Sequence, residues 1–285
     1  MQNVLNYRNN KKKAGELNMA TKNTKAKNAF HWDLVKSWEN TDGVNFAIAL
    51  ARLTGWLLHV DWWGANNTLN ESEMIPLRVY VGTDRDIVYD ITGKRRLEGF
   101  CQHIILPIAA KRVGKRLGGV VTRFYSEDKL FTLPLRVKPN EQEIIKAQLA
   151  IKENKNFLDK AIARLNPNIP ADWAAQYAFG WCTIYAEALE TIRNYPATAI
   201  LVSKYTQQYQ GSKKGFCHCV ILHPDGDMED SWGKQPAEYV LERYGIEEYT
   251  LSREEYLKVL ENIKTHPYEK YNLGYTKAIS FLETL

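Results

Sequence analysis

The 285-residue chain predicts an α+β fold. It should contain two helix-plus-antiparallel-sheet modules joined by a long helix, behind a basic N-terminal arm that is disordered or extended. Three observations predict this. First, GVNFAIAL (residues 43–50) and CTIYAEAL (182–189) share an aromatic residue followed by Ala-x-Ala-Leu, and Ala47 and Ala186 lie 139 residues apart. VYDITG (88–93) and MEDSWG (228–233) repeat with Asp90 and Asp230 140 residues apart, so two separate anchors share nearly one interval. Second, each helical motif is followed by short runs rich in β-branched and aromatic residues. Third, residues 140–165 read as one long helix, with Ile144, Ile145, Leu149, Phe157, Leu158, Ile162 and Leu165 falling imperfectly on one face. The divisions are 1–28 (arm), 29–135 (first module), 136–170 (connecting helix) and 171–285 (second module with C-terminal helices).

The arm holds Arg8, Lys11, Lys12, Lys13, Lys22, Lys25 and Lys27 against Glu16, a net of +6 in a chain of +5, so the body is close to neutral. Its Asn/Lys/Ala composition buries little apolar surface. Two readings stay open: a solvated leader upstream of a start at Met19, or an arm that orders against an acidic partner, nucleic acid or another subunit.

In the first module Thr41 or Asp42 caps a helix over Val44–Leu53, which Gly55 stops. Strands follow at Leu57–Asp61, Leu77–Val81 and Ile87–Ile91. Leu97–Arg116 reads as helix with a break near Pro107, and Val120–Tyr125 as strand. The connecting helix over Asn140–Leu165 would be roughly 39 Å long at 1.5 Å per residue, ending at Asn166-Pro-Asn-Ile-Pro170. In the second module a helix over Cys182–Arg193 ends before Pro196. Strands follow at Thr198–Tyr205, Phe216–Leu222 and Met228–Ser231, the last two joined through Pro224-Asp225-Gly226. Helices at Ser252–Lys264, opened by a Ser252/Glu255 capping box, and at Lys270–Leu285 close the chain.

The chemistry concentrates in the second module. A thiol attacks as thiolate, and a helix N-terminus lowers its pKa, so Cys182 after Gly180-Trp181 is a candidate nucleophile. His218 is a candidate base and Asp230 its orienter across a tight turn. Strand alternation puts His218 on the face opposite Cys217 and Cys219, so the histidine faces the helix and the two cysteines face away. The bland alternatives are a core cysteine, a satisfied strand histidine and a turn aspartate.

Cys217 and Cys219 with His223 or Cys101 offer a zinc alternative, although C-x-C lacks a second paired set. The runs Lys94-Arg95-Arg96 and Lys111-Arg112-Val113-Gly114-Lys115-Arg116 can serve a phosphate or act as solvated faces. In Asp61-Trp62-Trp63-Gly64 the paired Trp residues read as core plus edge, or as an interface anchor. There is no P-loop, G-x-G-x-x-G, H-E-x-x-H or EF-hand pattern, so no cofactor or metal is expected. No apolar run reaches bilayer length and no secretory signal opens the chain, so a cytoplasmic protein is expected.

The order Cys on a helix, His on a strand and Asp on the next strand resembles the papain-like cysteine hydrolase and transglutaminase superfamily. The short form, with its Ala-x-Ala-Leu helix and D-x-x-G end, is similar to modules of phage and mobile-element proteins. The resemblance covers about 60 residues of the second half. It implies Cys182 as nucleophile, His218 as base, Asp230 as orienter and Gln176, six residues upstream, as oxyanion donor. In the first module the matching positions are Gly43, Arg78 and Asp90, so that copy departs from the pattern and loses thiol chemistry.

The resemblance thus implies a phage- or mobile-element-encoded effector, a thiol hydrolase or acyl transferase acting on a host protein in the host cytoplasm. The alternative is a non-catalytic anti-defence protein, similar to the Gabija anti-defence family in size and style. It would oligomerise and bind a host immune nuclease/ATPase complex.

Overall fold

In a computed structural model of the protein, residues 29–65, 68, 70–83, 87–114, 116–164, 167–265 and 268–284 are described. The basic arm expected over 1–28 lies outside the described residues.

The first module contains α1 (Trp32–Asn40), α2 (Val44–Thr54), β1 (Leu57–Gly64), β2 (Ile75–Gly82), β3 (Ile87–Asp90) and β4 (Gly93–Arg96). A helical stretch then runs from α3 (Leu97–Phe100) through a π-helical turn (Cys101–Ile105) into α4 (Leu106–Arg112). After it come β5 (Gly119–Tyr125), α5 (Glu127–Thr132), α6 (Glu141–Glu153) and α7 (Lys155–Lys160). The second module contains α8 (Ala171–Ala178), α9 (Cys182–Arg193), β6 (Ala197–Tyr205), β7 (Gly215–Leu222), β8 (Met228–Asp230) and β9 (Gly233–Gln235). It closes with α10 (Ala237–Tyr244), β10 (Ile246–Ser252), α11 (Arg253–Thr265) and α12 (Tyr268–Leu282).

The fold is α+β, with two antiparallel five-stranded sheets ordered β4-β3-β2-β1-β5 and β9-β8-β7-β6-β10. The two orders are the same when the copies are superposed in sequence, and the correspondence reaches individual residues. In β1–β2 the pairing passes from Asp61↔Arg78 to Trp62↔Pro76 and skips Leu77. In β6–β7 it passes from Ile200↔His218 to Leu201↔Phe216 and skips Cys217. Leu77 and Cys217 are therefore equivalent bulges, the kind of irregularity that re-aims a neighbouring side chain. The second and third strands pair at only two positions in each module, Val81↔Tyr89 and Gly82↔Val88 or Ile221↔Glu229 and Leu222↔Met228. Ahead of those positions the strands part.

The long connecting helix is corrected: it is two helices broken at Asn154. Asn154 leaves helical geometry (φ −95°, ψ 74°), and its Oδ1 accepts the Phe157 N–H at 3.2 Å, which caps a new helix. Its Nδ2 donates to the Ala29 carbonyl at 2.6 Å. Moreover, α6 is not a free spacer. It lies on α2 through Ile144, Ala147 and Ile151, as α12 lies on α9. The break expected near Pro107 is the π-turn just before it, which accommodates the ring without ending the helix.

The copies share one core. Trp56 meets Trp232 edge-on (centroids 4.9 Å) and stacks on Phe179 (5.3 Å), while its Nε1 donates to the Ala161 carbonyl at 2.5 Å. The outer face of the first sheet has a second core under α3–α4, including Leu77, Tyr80, Phe100 and Ile105. Trp62 is buried and Trp63 half-buried at the sheet margin, so that pair is core plus edge. Among the described residues no helix is long and apolar enough to cross a membrane.

Gly43 holds a left-handed conformation (φ +77°) at the start of α2, and a Cβ there would stand 2.8 Å from the Val79 carbonyl oxygen. The first module thus has no room for a side chain where the second carries its thiol. Gly43→Ala is expected to destabilise the protein by about 2 kcal/mol or more, from the left-handed backbone and the backbone clash. A urea-midpoint shift on this scale checks it; an unchanged midpoint would contradict the assignment.

Candidate active site

The structure brings Cys182, His218 and Asp230 together. Cys182 is the first residue of α9, and no side chain caps the first-turn N–H groups of that helix. His218 comes from β7 and Asp230 from the end of β8. His218 Nε2 and Asp230 Oδ2 are 2.8 Å apart, both side chains almost fully buried. Asp230 Oδ1 accepts the Trp232 N–H at 2.8 Å, so the backbone of the tight turn fixes the carboxylate. The first module repeats this frame with other chemistry. Arg78 Nη2 reaches Asp90 Oδ2 at 3.3 Å, and Asp90 Oδ1 accepts the Thr92 N–H at 2.8 Å.

The expected facing of β7 is corrected. Cys219 is the residue that faces α9: its Sγ lies 3.4 Å from Thr183 Oγ1. His218, on the other face, still interacts with the buried Cys182, at a level of β7 ahead of Ile221 where no pairing with β8 is formed. There Cys182 interacts electrostatically with the Cys219 thiol, with His218 and with the Cys219 backbone. In the first module the equivalent N–H, that of Val79, goes to the Asp42 carbonyl at 2.9 Å.

The electrostatics follow from these contacts. The Cys182 thiol is held well below its ordinary value: the Cys219 thiol donates to it, burial opposes, and the His218 hydrogen bond and charge add to the lowering. For His218, burial pulls down, but hydrogen bonds to Asp230 and Cys182 outweigh it and leave the imidazole raised. For Asp230, burial pushes up, and the charges of Arg243 and His218 outweigh it, so the carboxylate sits below its usual range. The balance favours a thiolate–imidazolium pair over a carboxylate.

Two residues of this set escaped the sequence reading. Arg243, fully buried, donates to Asp230 Oδ2 and lies over the Trp232 ring (4.1 Å). The Tyr244 hydroxyl donates to the Ala178 carbonyl at 3.1 Å and presents a lone pair to His218 Nδ1, also 3.1 Å away. A signal was there to find: Val240, Arg243 and Tyr244 are spaced i, i+3, i+4, which puts an arginine on the apolar face of α10.

Gln176 lies in the last turn of α8, half-buried. Its backbone carbonyl accepts the Trp181 N–H at 3.3 Å, and its side chain makes no hydrogen bond to a described residue. The groups that favour the thiolate are the Cys219 thiol, His218 and the Cys219 backbone, and Gln176 is not among them. Cys182 is buried, while Gly180, two residues before it, is exposed and an added Cβ there would meet nothing within 4 Å. A surface depression of about 460 Å³ belongs to the first module, lined by residues such as Phe30, His31 and Glu153, and none of the triad borders it.

The zinc alternative finds no support: among the described residues no three His, Cys, Asp or Glu side chains are placed to hold a metal ion. The basic runs are partly structural. Arg112 donates to the Pro76 and Leu77 carbonyls (both 3.1 Å) and pairs with Asp42, while Lys94 lies over the Tyr89 ring. Lys115 is outside the described residues. No family model, curated protein or solved structure matches the chain.

Proposed function

We propose that the second module is a thiol-dependent acyl hydrolase or acyl transferase acting on an amide or ester, with a frame of the papain-like kind. The first module is the same frame turned to structural use. The observation that carries this reading is the contact of a helix-N-terminal thiol with an imidazole that a buried carboxylate orients.

In this reading Cys182 Sγ attacks the carbonyl carbon and forms a tetrahedral intermediate. The uncapped first-turn N–H groups of α9 lie where its oxyanion develops, and Gln176 is a further donor that has to turn toward it. His218 then protonates the leaving group, and the thioester of Cys182 remains. Water, or an acceptor amine or alcohol, attacks that thioester as His218 takes its proton, and the thiol is released. Asp230 keeps Nε2 engaged throughout, so Nδ1, which has to exchange its Tyr244 contact for the reacting groups, is the nitrogen that moves the proton. Arg243 holds Asp230 ionised in a site almost closed to water.

The test is the pH dependence of alkylation at Cys182 by iodoacetamide, read by mass spectrometry. An ordinary thiol, with a pKa of about 8.5, slows on the order of a hundredfold between about pH 8 and about pH 6. Cys182 is expected to keep most of its rate across that interval and to outpace Cys101, whose thiol burial pushes up. Alkylation of Cys182 that slows like an ordinary thiol, or not at all detectable at neutral pH, overturns the reading.

A further inference from the structure

Cys219 stands against the reactive thiol, and favouring the thiolate, which any small donor could do, does not by itself account for a second cysteine there. It is buried on the α9 face of β7. Thr183, the residue after Cys182, holds its Sγ at 3.4 Å, so β7 seats Cys219 against the first turn of α9 beside the Cys182 thiol, with which it interacts. A disulfide requires Cβ atoms about 3.5–4.5 Å apart, and a cysteine whose Sγ touches the residue next to Cys182 is seated where a small approach can form one. We propose that Cys219 is a resolving thiol: after a hydroperoxide oxidises Cys182, Cys219 closes a reversible disulfide with it. The proposal rests on the reactivity assigned to Cys182 above and names what protects that reactive sulfur.

The steps balance. The Cys182 thiolate attacks one oxygen of hydrogen peroxide, and the sulfur gives up two electrons as the O–O bond breaks. The products are the Cys182 sulfenic acid and, with the proton of the His218 imidazolium, water; His218 is left neutral. Cys219 Sγ then attacks the sulfenic sulfur. Its proton goes to the departing hydroxyl, the S–O bond breaks, the S–S bond forms and a second water leaves. Loss of the Cys182 negative charge is what frees the Cys219 proton, since that charge, after burial itself, keeps the Cys219 thiol protonated. A thiol reductant returns both cysteines. Cys217, skipped at the bulge of the same strand, is the natural competitor and the natural control.

The experiment treats the full chain with stoichiometric hydrogen peroxide, blocks free thiols with iodoacetamide and maps peptides by mass spectrometry. The expected product is one Cys182–Cys219 cross-linked peptide, lighter by two hydrogens, that disappears with dithiothreitol as alkylation of Cys182 returns in full. Cys217→Ser is expected to keep the cross-link. Cys219→Ser is expected to abolish it and to drive Cys182 to sulfinic and sulfonic acid. The wild-type map needs no variant to fold: Cys182 over-oxidised without a cross-link, or cross-linked to Cys217, overturns the proposal. A Cys182 that alkylates at neutral pH but never pairs with Cys219 defeats this inference alone. A Cys182 that does not alkylate at all defeats the functional reading and this inference with it.

Discussion

Cys182→Ala is expected to abolish the turnover of an activated ester such as p-nitrophenyl acetate, by roughly 10⁴-fold or more, while the protein stays folded. The reasoning is local. Cys182 is the sulfur at the start of α9, and the groups that share its chemistry do not depend on it for their fold. Asp230 keeps His218, Arg243 and the Trp232 N–H as partners, and Tyr244 keeps the Ala178 carbonyl. The cost in stability should be about 1–2 kcal/mol, as for other small buried truncations. A burst of p-nitrophenolate, stoichiometric with protein, should vanish in the variant.

His218→Ala should lose activity on a similar scale. The double variant should lose little more than either single one, because residues that act as a unit are strongly non-additive. Undiminished turnover in Cys182→Ala with a native circular-dichroism spectrum would sink the acyl-transfer reading. It would leave the second module, like the first, a frame whose chemistry is idle.

Asp61→Asn is expected to make the protein more stable, by up to about 4 kcal/mol at about pH 8. Asp61 lies buried on the outer face of β1, among groups that carry no positive charge. From β5, Thr122 Oγ1 donates to its Oδ1 at 2.6 Å, and from β2, Tyr80 Oη does so at 3.2 Å. Cys101, at the start of the π-turn, has its thiol pushed up by burial and by the charge of Asp61. On β1 itself, burial pulls His59 down to about 4, so it stays neutral.

Burial therefore raises the Asp61 carboxyl from 3.8 to about 7, despite the two hydrogen bonds that lower it. Between those values the folded protein holds a proton that the unfolded chain has released. Stability accordingly falls as pH rises through this window, by about 1.4 kcal/mol per pH unit. The asparagine keeps the shape and removes the charge. Its advantage should be largest above about pH 7 and shrink to nothing near 3.8. Urea titrations of both proteins across that range check it, because the difference cancels every other titrating group. Parallel pH profiles would show that Asp61 is ionised and satisfied in the fold.

The sequence by itself determined the frame and the cast. The interval between Ala47 and Ala186, and that between Asp90 and Asp230, marked a repeat that the structure carries down to equivalent bulges at Leu77 and Cys217. Helix and strand periods, β-branched runs and turn residues are local properties, so most strands and both motif helices were legible. The order of a helix-start cysteine, a strand histidine and a turn aspartate singled out Cys182, His218 and Asp230, and the repeat then gave Gly43, Arg78 and Asp90 as their counterparts.

Other features were decided in three dimensions. One long helix and two short ones have nearly the same propensity, and Asn154 breaks the helix because the Ala29 carbonyl is there to receive its amide. The edge strand β10 exists because β6 offers it a free side. Above all, alternation says which face of β7 a residue takes, but not that β7 and β8 part. Where they part, one thiol meets His218 from one face and Cys219 from the other, and Arg243 arrives from α10 to settle the charge on Asp230. Unpaired strand edges and buried charges are properties of packing, so they enter only when the tertiary structure closes.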